Sequence, residues 1–156
     1  LANASATLVG QNLGAKQPER AERSVWKAGT VTMVLLGLVS IVYVLLDRQL
    51  VGLFTDDPAV IAVGADGLRI MAYGYIIYAW AMVLPQAFNG AGDTLTPTWI
   101  NLGCFWALQI PLAWALAFPL GFDEHGVFWA VVAAETLMAL VCAVLFRQGR
   151  WKATQV

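Results

Sequence analysis

The sequence predicts an all-α, polytopic transmembrane helical bundle, and three observations carry that expectation. Only 12% of the residues are charged while 60% are hydrophobic, against about 25% charged in an ordinary soluble domain. Four long stretches carry no charge, or a single one. Basic residues gather at alternate ends of those stretches. Such a composition suits lipid as the solvent.

The elements follow in chain order. The chain opens Leu1-Ala2-Asn3-Ala4-Ser5-Ala6, with no initiator Met and no basic n-region. That start does not read as a signal peptide, and the expectation is a longer chain cut within a helix that ends near Gly10. Pro18 opens the next helix, and Glu19, Arg20, Glu22 and Arg23 form an amphipathic lead-in. The first complete span covers about 25–46; its charge-free part, Ala28 to Leu46, makes about 28 Å of helix, enough to cross the hydrocarbon core. The second covers about 59–88 behind an Asp57-Pro58 start, and the third about 97–121 behind Thr96-Pro97. The fourth covers about 126–146 and is interrupted only by Glu135, before a tail at 147–156. Pro85, Pro111 and Pro119 lie within apolar runs, where membrane helices tolerate them.

Charge placement orients the bundle. Lys16, Arg20, Arg23 and Lys27 precede the first span, and Arg147, Arg150 and Lys152 follow the fourth. An even number of spans puts both groups on one side, and the opposite loops contribute Arg48 alone. The positive-inside rule then makes the tail cytoplasmic, and the expected location is the inner (plasma) membrane. Trp26, Trp99, Trp129 and Trp151 fall near span ends, as an interfacial belt requires. Cys104 and Cys142 fall in apolar runs and read as packing residues. His125, in a short loop, has no neighbouring His or Cys that would make a metal site.

Three stretches carry more than hydropathy. The first is Ala6-Thr7-Leu8-Val9-Gly10-Gln11-Asn12-Leu13-Gly14-Ala15, followed by Pro18-Glu19-Arg20-Ala21. The second is Asn89-Gly90-Ala91-Gly92-Asp93-Thr94, then Thr96-Pro97. The third is Phe146-Arg147-Gln148-Gly149-Arg150-Trp151-Lys152. In that order and spacing, across essentially the whole chain, they resemble the second half of a multidrug and toxin extrusion (MATE) transporter. They correspond there to the end of the eighth helix, the turn between helices ten and eleven, and the exit from helix twelve. The residues also have local chemistry. Gly90 and Gly92 permit a tight turn whose freed amides Asp93 can bond. Gln11 to Ala15 close a helix, with Gly14 available for positive φ.

The resemblance implies a C-terminal lobe of a twelve-helix, two-lobe transporter in which Na⁺ or H⁺ drives export of organic cations or amphipathic compounds. It implies no cofactor beyond that ion. The implied partners are a small-molecule substrate, the coupling cation, the bilayer and the N-terminal lobe of the same chain, with no nucleic acid. Coupling in such proteins depends on membrane-embedded carboxylates, and Glu135 is the deep one here. An ionised carboxylate near the midplane costs a few kcal/mol, so it is protonated, paired or facing water. Two readings stay open: exchange of a cation or proton, and a protonated Glu hydrogen-bonded to a neighbouring helix. The second span lacks an acid between Arg69 and Asp93, where some Na⁺-coupled members carry one.

Along the second span Tyr75, Tyr78, Met82, Gln86 and Asn89 form a stripe suited either to a flat cationic substrate or to helix packing. Asn101 and Gln109 share a face of the third span and are candidates for the same cavity, and Trp106 and Trp114 lie deep in that span. Asp66 and Arg69, spaced i, i+3, are expected to pair with each other. A flippase of lipid-linked oligosaccharides shares this plan, but Arg69 is the one basic residue within a span, which favours efflux. A non-transport structural subunit is the other alternative. Enzymatic and haem-binding readings fail for want of a catalytic constellation or of His inside a span.

Overall fold

Pro18 and Pro58 fix φ at the first turn of a helix, where no N–H is required, and the two longest helices begin on them. The computed structural model describes residues 2–153. They form α1 (Ala2–Gly14), α2 (Pro18–Gly52), α3 (Pro58–Gly90), α4 (Leu95–Asn101), α5 (Ile110–Ala117) and α6 (Asp123–Arg147). A π-helical segment, Leu102–Gln109, joins α4 to α5, and a short 3₁₀ turn, Arg150–Ala153, follows α6. Four continuous helical stretches are long and apolar enough to cross a membrane: α2, α3, Leu95–Ala117 and α6. The all-α fold class expected from composition is therefore observed. The end of the tail, 154–156, lies outside the described residues.

Helix starts follow the sequence in two of three cases. The Asp57 carboxylate accepts the Ala59 N–H at 2.9 Å and caps α3. Thr96-Pro97 does not open the third span. The helix begins at Leu95, because Asp93 in the preceding turn accepts the Thr96 N–H at 3.1 Å and supplies the cap. Gly92 takes φ 83° in that turn, a conformation that costs a glycine nothing. At the other corner the positive φ belongs to Lys16 (57°), and Gly14 stays helical. There the Lys16 and Gln17 amides reach back to the carbonyls of Leu13 and Asn12, at 2.8 Å each, and close α1.

α2 packs along α3, α3 along α6, and α1 wedges against both α2 and α3. The α1–α3 crossing depends on small residues. A Cβ on Gly90 would overlap the backbone of Ala6, and one on Gly10 would press on the Gly90 carbonyl at 3.2 Å. The two glycine-bearing sequence motifs thus meet in space, each making room for the other.

The core sits at the end of the bundle where α1, the start of α2, the ends of α3 and α6, and the 3₁₀ turn converge. Val9, Val25, Leu84, Phe88, Cys142 and Phe146 are buried in it, as is Cys104. Trp151 also lies there, 1% exposed, which corrects the expectation of an interfacial belt residue. Its ring stacks on Phe146 at 4.6 Å and its Nε1 donates to the Phe146 carbonyl at 2.9 Å. Trp26 is half-buried against Trp80 and Phe146, whereas Trp99 and Trp129 keep the exposure a belt needs.

The opposite end is held differently. α2 runs past the predicted span to Gly52, with a break in helical geometry at Leu46 (φ −122°, ψ 21°). Beyond the break, Asp47 is buried and receives Arg69 of α3: Nε donates to Oδ2 at 2.8 Å and Nη2 to the same oxygen. Asp66 meets His125 at 3.3 Å instead. The expected Asp66–Arg69 pair is therefore replaced by two interhelical pairs. An i, i+3 relation permits contact on one helix, but a buried carboxylate on the neighbouring helix holds Arg69 more strongly than an exposed one on its own. His125 lies in the first turn of α6 rather than in a loop.

Candidate functional site

Glu135 stands twelve residues from Asp123 and twelve from Arg147, the midpoint of α6. It opens onto a cavity of about 160 Å³ between α3 and α6, lined by Met71, Gly74, Tyr75, Tyr78, Val131, Val132 and Glu135. Helical periodicity explains the lining. Met71, Gly74, Tyr75 and Tyr78 fall at i, i+3, i+4, i+7 on one face of α3, and Val131, Val132 and Glu135 at i, i+1, i+4 on α6. Gly74 keeps the helices close, since a Cβ there would press on both methyls of Val132 at 3.2 Å.

Three tyrosines lead from α2 into the cavity. The Tyr43 ring lies 5.7 Å from Tyr75, and Tyr75 lies 6.1 Å from Tyr78. Among the described residues, no side chain hydrogen-bonds to Glu135 and none forms an ion pair with it. Of the two readings open at Glu135, the hydrogen-bonded packing role thus finds no partner on a neighbouring helix within the described chain. The carboxyl has only the cavity, with its two phenols, to address.

The remaining sequence candidates lie elsewhere. Met82 and Gln86 continue the α3 stripe towards the packed end and do not line the cavity; Gln86 Oε1 accepts instead from Asn89 at 3.4 Å. Asn101 precedes the π segment and Gln109 is its last residue, and neither lines the Glu135 cavity. Their side-chain oxygens are buried without a hydrogen-bond partner among the described residues. The π coil has a local cause. Pro111 lacks an N–H and its ring would press on the carbonyl four residues earlier, so a wider turn before it relieves the contact. That wider turn changes the angle per residue, so a face drawn at α-helical spacing does not carry from Asn101 to Gln109. Trp106 and Trp114 are exposed on the outer surface of this span. Gln11, Gly14, Gly90, Gly92 and Asp93 belong to the corners already described, remote from the cavity in sequence and position.

Two residues escaped the sequence reading. Tyr43 looked like one more aromatic in an apolar run, and its only signal was a polar tip in mid-span. Asp47 closes a charge-free run, which reads as the end of a helix, yet the helix continues for five residues.

The arrangement defines a class first: a polytopic helical membrane protein with a small, partly polar cavity at mid-membrane and a single carboxyl in it. The chain belongs to the MatE family, whose model matches residues 1–115. It is 28% identical to a probable multidrug resistance protein NorM of Caulobacter vibrioides, across 97% of this chain and 32% of that protein. Protein DETOXIFICATION 30 of Arabidopsis thaliana is 27% identical across 92% of this chain and 29% of its own length. Among solved structures, the MATE transporter ClbM in complex with Rb⁺ superposes with a TM-score of 0.87 at 23% identity, over 96% of this chain and 36% of that one. The eukaryotic MATE transporter AtDTX14 gives 0.88 at 22% identity, over 97% and 34%. The chain thus spans about a third of the length of the relatives it matches. The family is one of transporters, not enzymes.

Proposed function

We propose that this chain is most of the C-terminal lobe of a two-lobe antiporter that exports drugs or other amphipathic, cationic organic compounds in exchange for Na⁺ or H⁺. On this reading Glu135 is the exchange site, and the basic end of the bundle faces the cytoplasm in the inner (plasma) membrane. The observation that carries it is the Glu135 cavity. A carboxyl at the centre of a membrane helix, facing a void and lacking a protein partner, is stable when it holds a proton or a cation and is ready to give it up when water enters. The cavity's volume also matters. Pockets for drug-sized molecules run to about 300–1,000 Å³, so 160 Å³ suits a small ion and its water. Tyr75 and Tyr78 then act with Glu135 on the coupling ion, and the organic substrate occupies the space between lobes. No second carboxylate lines the cavity. One carboxyl and two phenols among apolar walls suit a proton better than a metal ion that needs several oxygens.

The test uses the intact protein reconstituted in liposomes. Glu135→Gln keeps the side chain's shape but cannot change charge, so ion-driven efflux of a dye cation should fall at least about a hundredfold, while dye binding stays within about twofold. Coupled efflux at the wild-type rate in the Gln variant would sink the assignment and leave coupling to other residues.

A further inference from the structure

We infer that the outer face of the α1–α2 corner is a binding surface for the phosphate headgroups of anionic phospholipid in the surrounding bilayer. Arg20, Arg23 and Lys27 are spaced 3 and 4 residues apart, which places them in one row on the entry turns of α2, and Lys16 stands at the corner just before the helix. All four are exposed. The helical part of the row, Arg20 to Lys27, is about 10 Å long at 1.5 Å per residue, and it ends at Lys27, one residue before the charge-free part of the span. The opposite face of the same turns, Ala21, Val25 and Gly29, is buried against the core. The row therefore cannot turn inward, and it sits where a helix enters the headgroup layer.

Three observations set this row apart from a general excess of positive charge. First, among the described residues none of the four forms an ion pair, and Glu22 on the same turns is taken by Lys152 of the 3₁₀ turn at 2.5 Å. Second, the corner is concave: a hollow of about 520 Å³ is lined by Lys16, Gln17, Pro18, Glu19, Arg20 and Arg23. Arg20 is held over it by a 3.3 Å hydrogen bond to Gln17 Oε1. Third, Lys16 occupies φ 57°, a backbone state that glycine favours and that a lysine enters only at a steric cost. A lysine at such a corner adds a cation to the rim of the hollow that a glycine would lack. Glu19 is the one acid in the lining, and three cations outweigh it.

Charge complementarity and position select the occupant. Clusters of basic side chains beside a membrane helix attract anionic headgroups with about 1 kcal/mol per residue, roughly fivefold in affinity for each charge. A hollow at headgroup depth gives the phosphate a seat. The inference does not depend on what Glu135 exchanges.

The experiment is lipid titration of the intact protein in a neutral detergent, read by native mass spectrometry, with dioleoyl phosphatidylglycerol against dioleoyl phosphatidylcholine. The glycerol lipid should bind more tightly. Arg20→Gln combined with Arg23→Gln should weaken it about tenfold or more and leave the choline lipid unchanged, while the Lys pair at the same positions should keep wild-type affinity within about twofold. Lys16→Gly separates binding from folding. Glycine accepts the left-handed backbone freely, so the thermal midpoint should hold or rise while phosphatidylglycerol affinity falls about fivefold. Unchanged affinity in both the Gln pair and Lys16→Gly would overturn the inference. Displacement of the lipid by millimolar inorganic phosphate would overturn it too, because the site would then serve a free anion.

Discussion

The two ends of this bundle are built from different interactions. At the end holding α1 and the 3₁₀ turn, Trp26, Trp80, Phe88, Phe146 and Trp151 interlock through edge and stacked contacts. At the other, Asp47–Arg69 and Asp66–His125 link α2, α3 and α6, while Leu53 and Phe54 are left exposed, Phe54 at 90%. The reason lies in the solvent. Within lipid, apolar side chains gain little by leaving one hydrocarbon for another, so helices associate by close packing of shapes and by hydrogen bonds. Five chain segments converge at the first end and fill it densely. Fewer meet at the second, so directional polar contacts there take the place of dense packing.

That contrast can be broken by substitution. The largest effect is expected from Phe146→Ala, which empties the centre of the aromatic cluster and unstacks Trp151. It should cost about 3–5 kcal/mol of unfolding free energy, read by denaturant titration of the intact protein in mixed micelles. Asp47→Ala should cost less, about 1–3 kcal/mol, because the Arg69 side chain it abandons is 43% exposed and can turn to water or headgroups. An equal loss from both changes would mean that the ends are held alike and that the comparison is wrong. The smallest effect belongs to His125→Gln. Both partners of the Asp66–His125 contact are substantially exposed, and such pairs contribute at most about 1 kcal/mol. A loss larger than that of Asp47→Ala would shift the weight of the polar end from α2–α3 to α3–α6.

Helix positions were legible from the sequence because their determinants are local. Pro18 and the Asp57-Pro58 start act within one or two turns, and α2 and α3 begin on them, although α2 continues past its charge-free run to Gly52. The family was legible for a related reason. Corner motifs such as Gly90-Ala91-Gly92-Asp93 are constrained by turn geometry, and they stand at recognisable spacing along the chain. Glu135 was also legible as a deep carboxyl, since depth follows from counting residues along one helix.

What only the tertiary structure decided concerns partners. Whether Arg69 binds Asp66 or Asp47, whether Trp151 faces lipid or the core, and which of Tyr75, Tyr78, Met82 and Gln86 share a space with Glu135 all depend on how one helix is rotated against its neighbour. Periodicity places residues on a face but leaves open which neighbour that face meets, and at Leu102–Gln109 the π coil alters the period itself. The rotation is set by close contacts such as Gly90 on Ala6 and Gly74 on Val132, between residues far apart in the chain. Local propensity does not encode those contacts, and they exist only once the helices have packed.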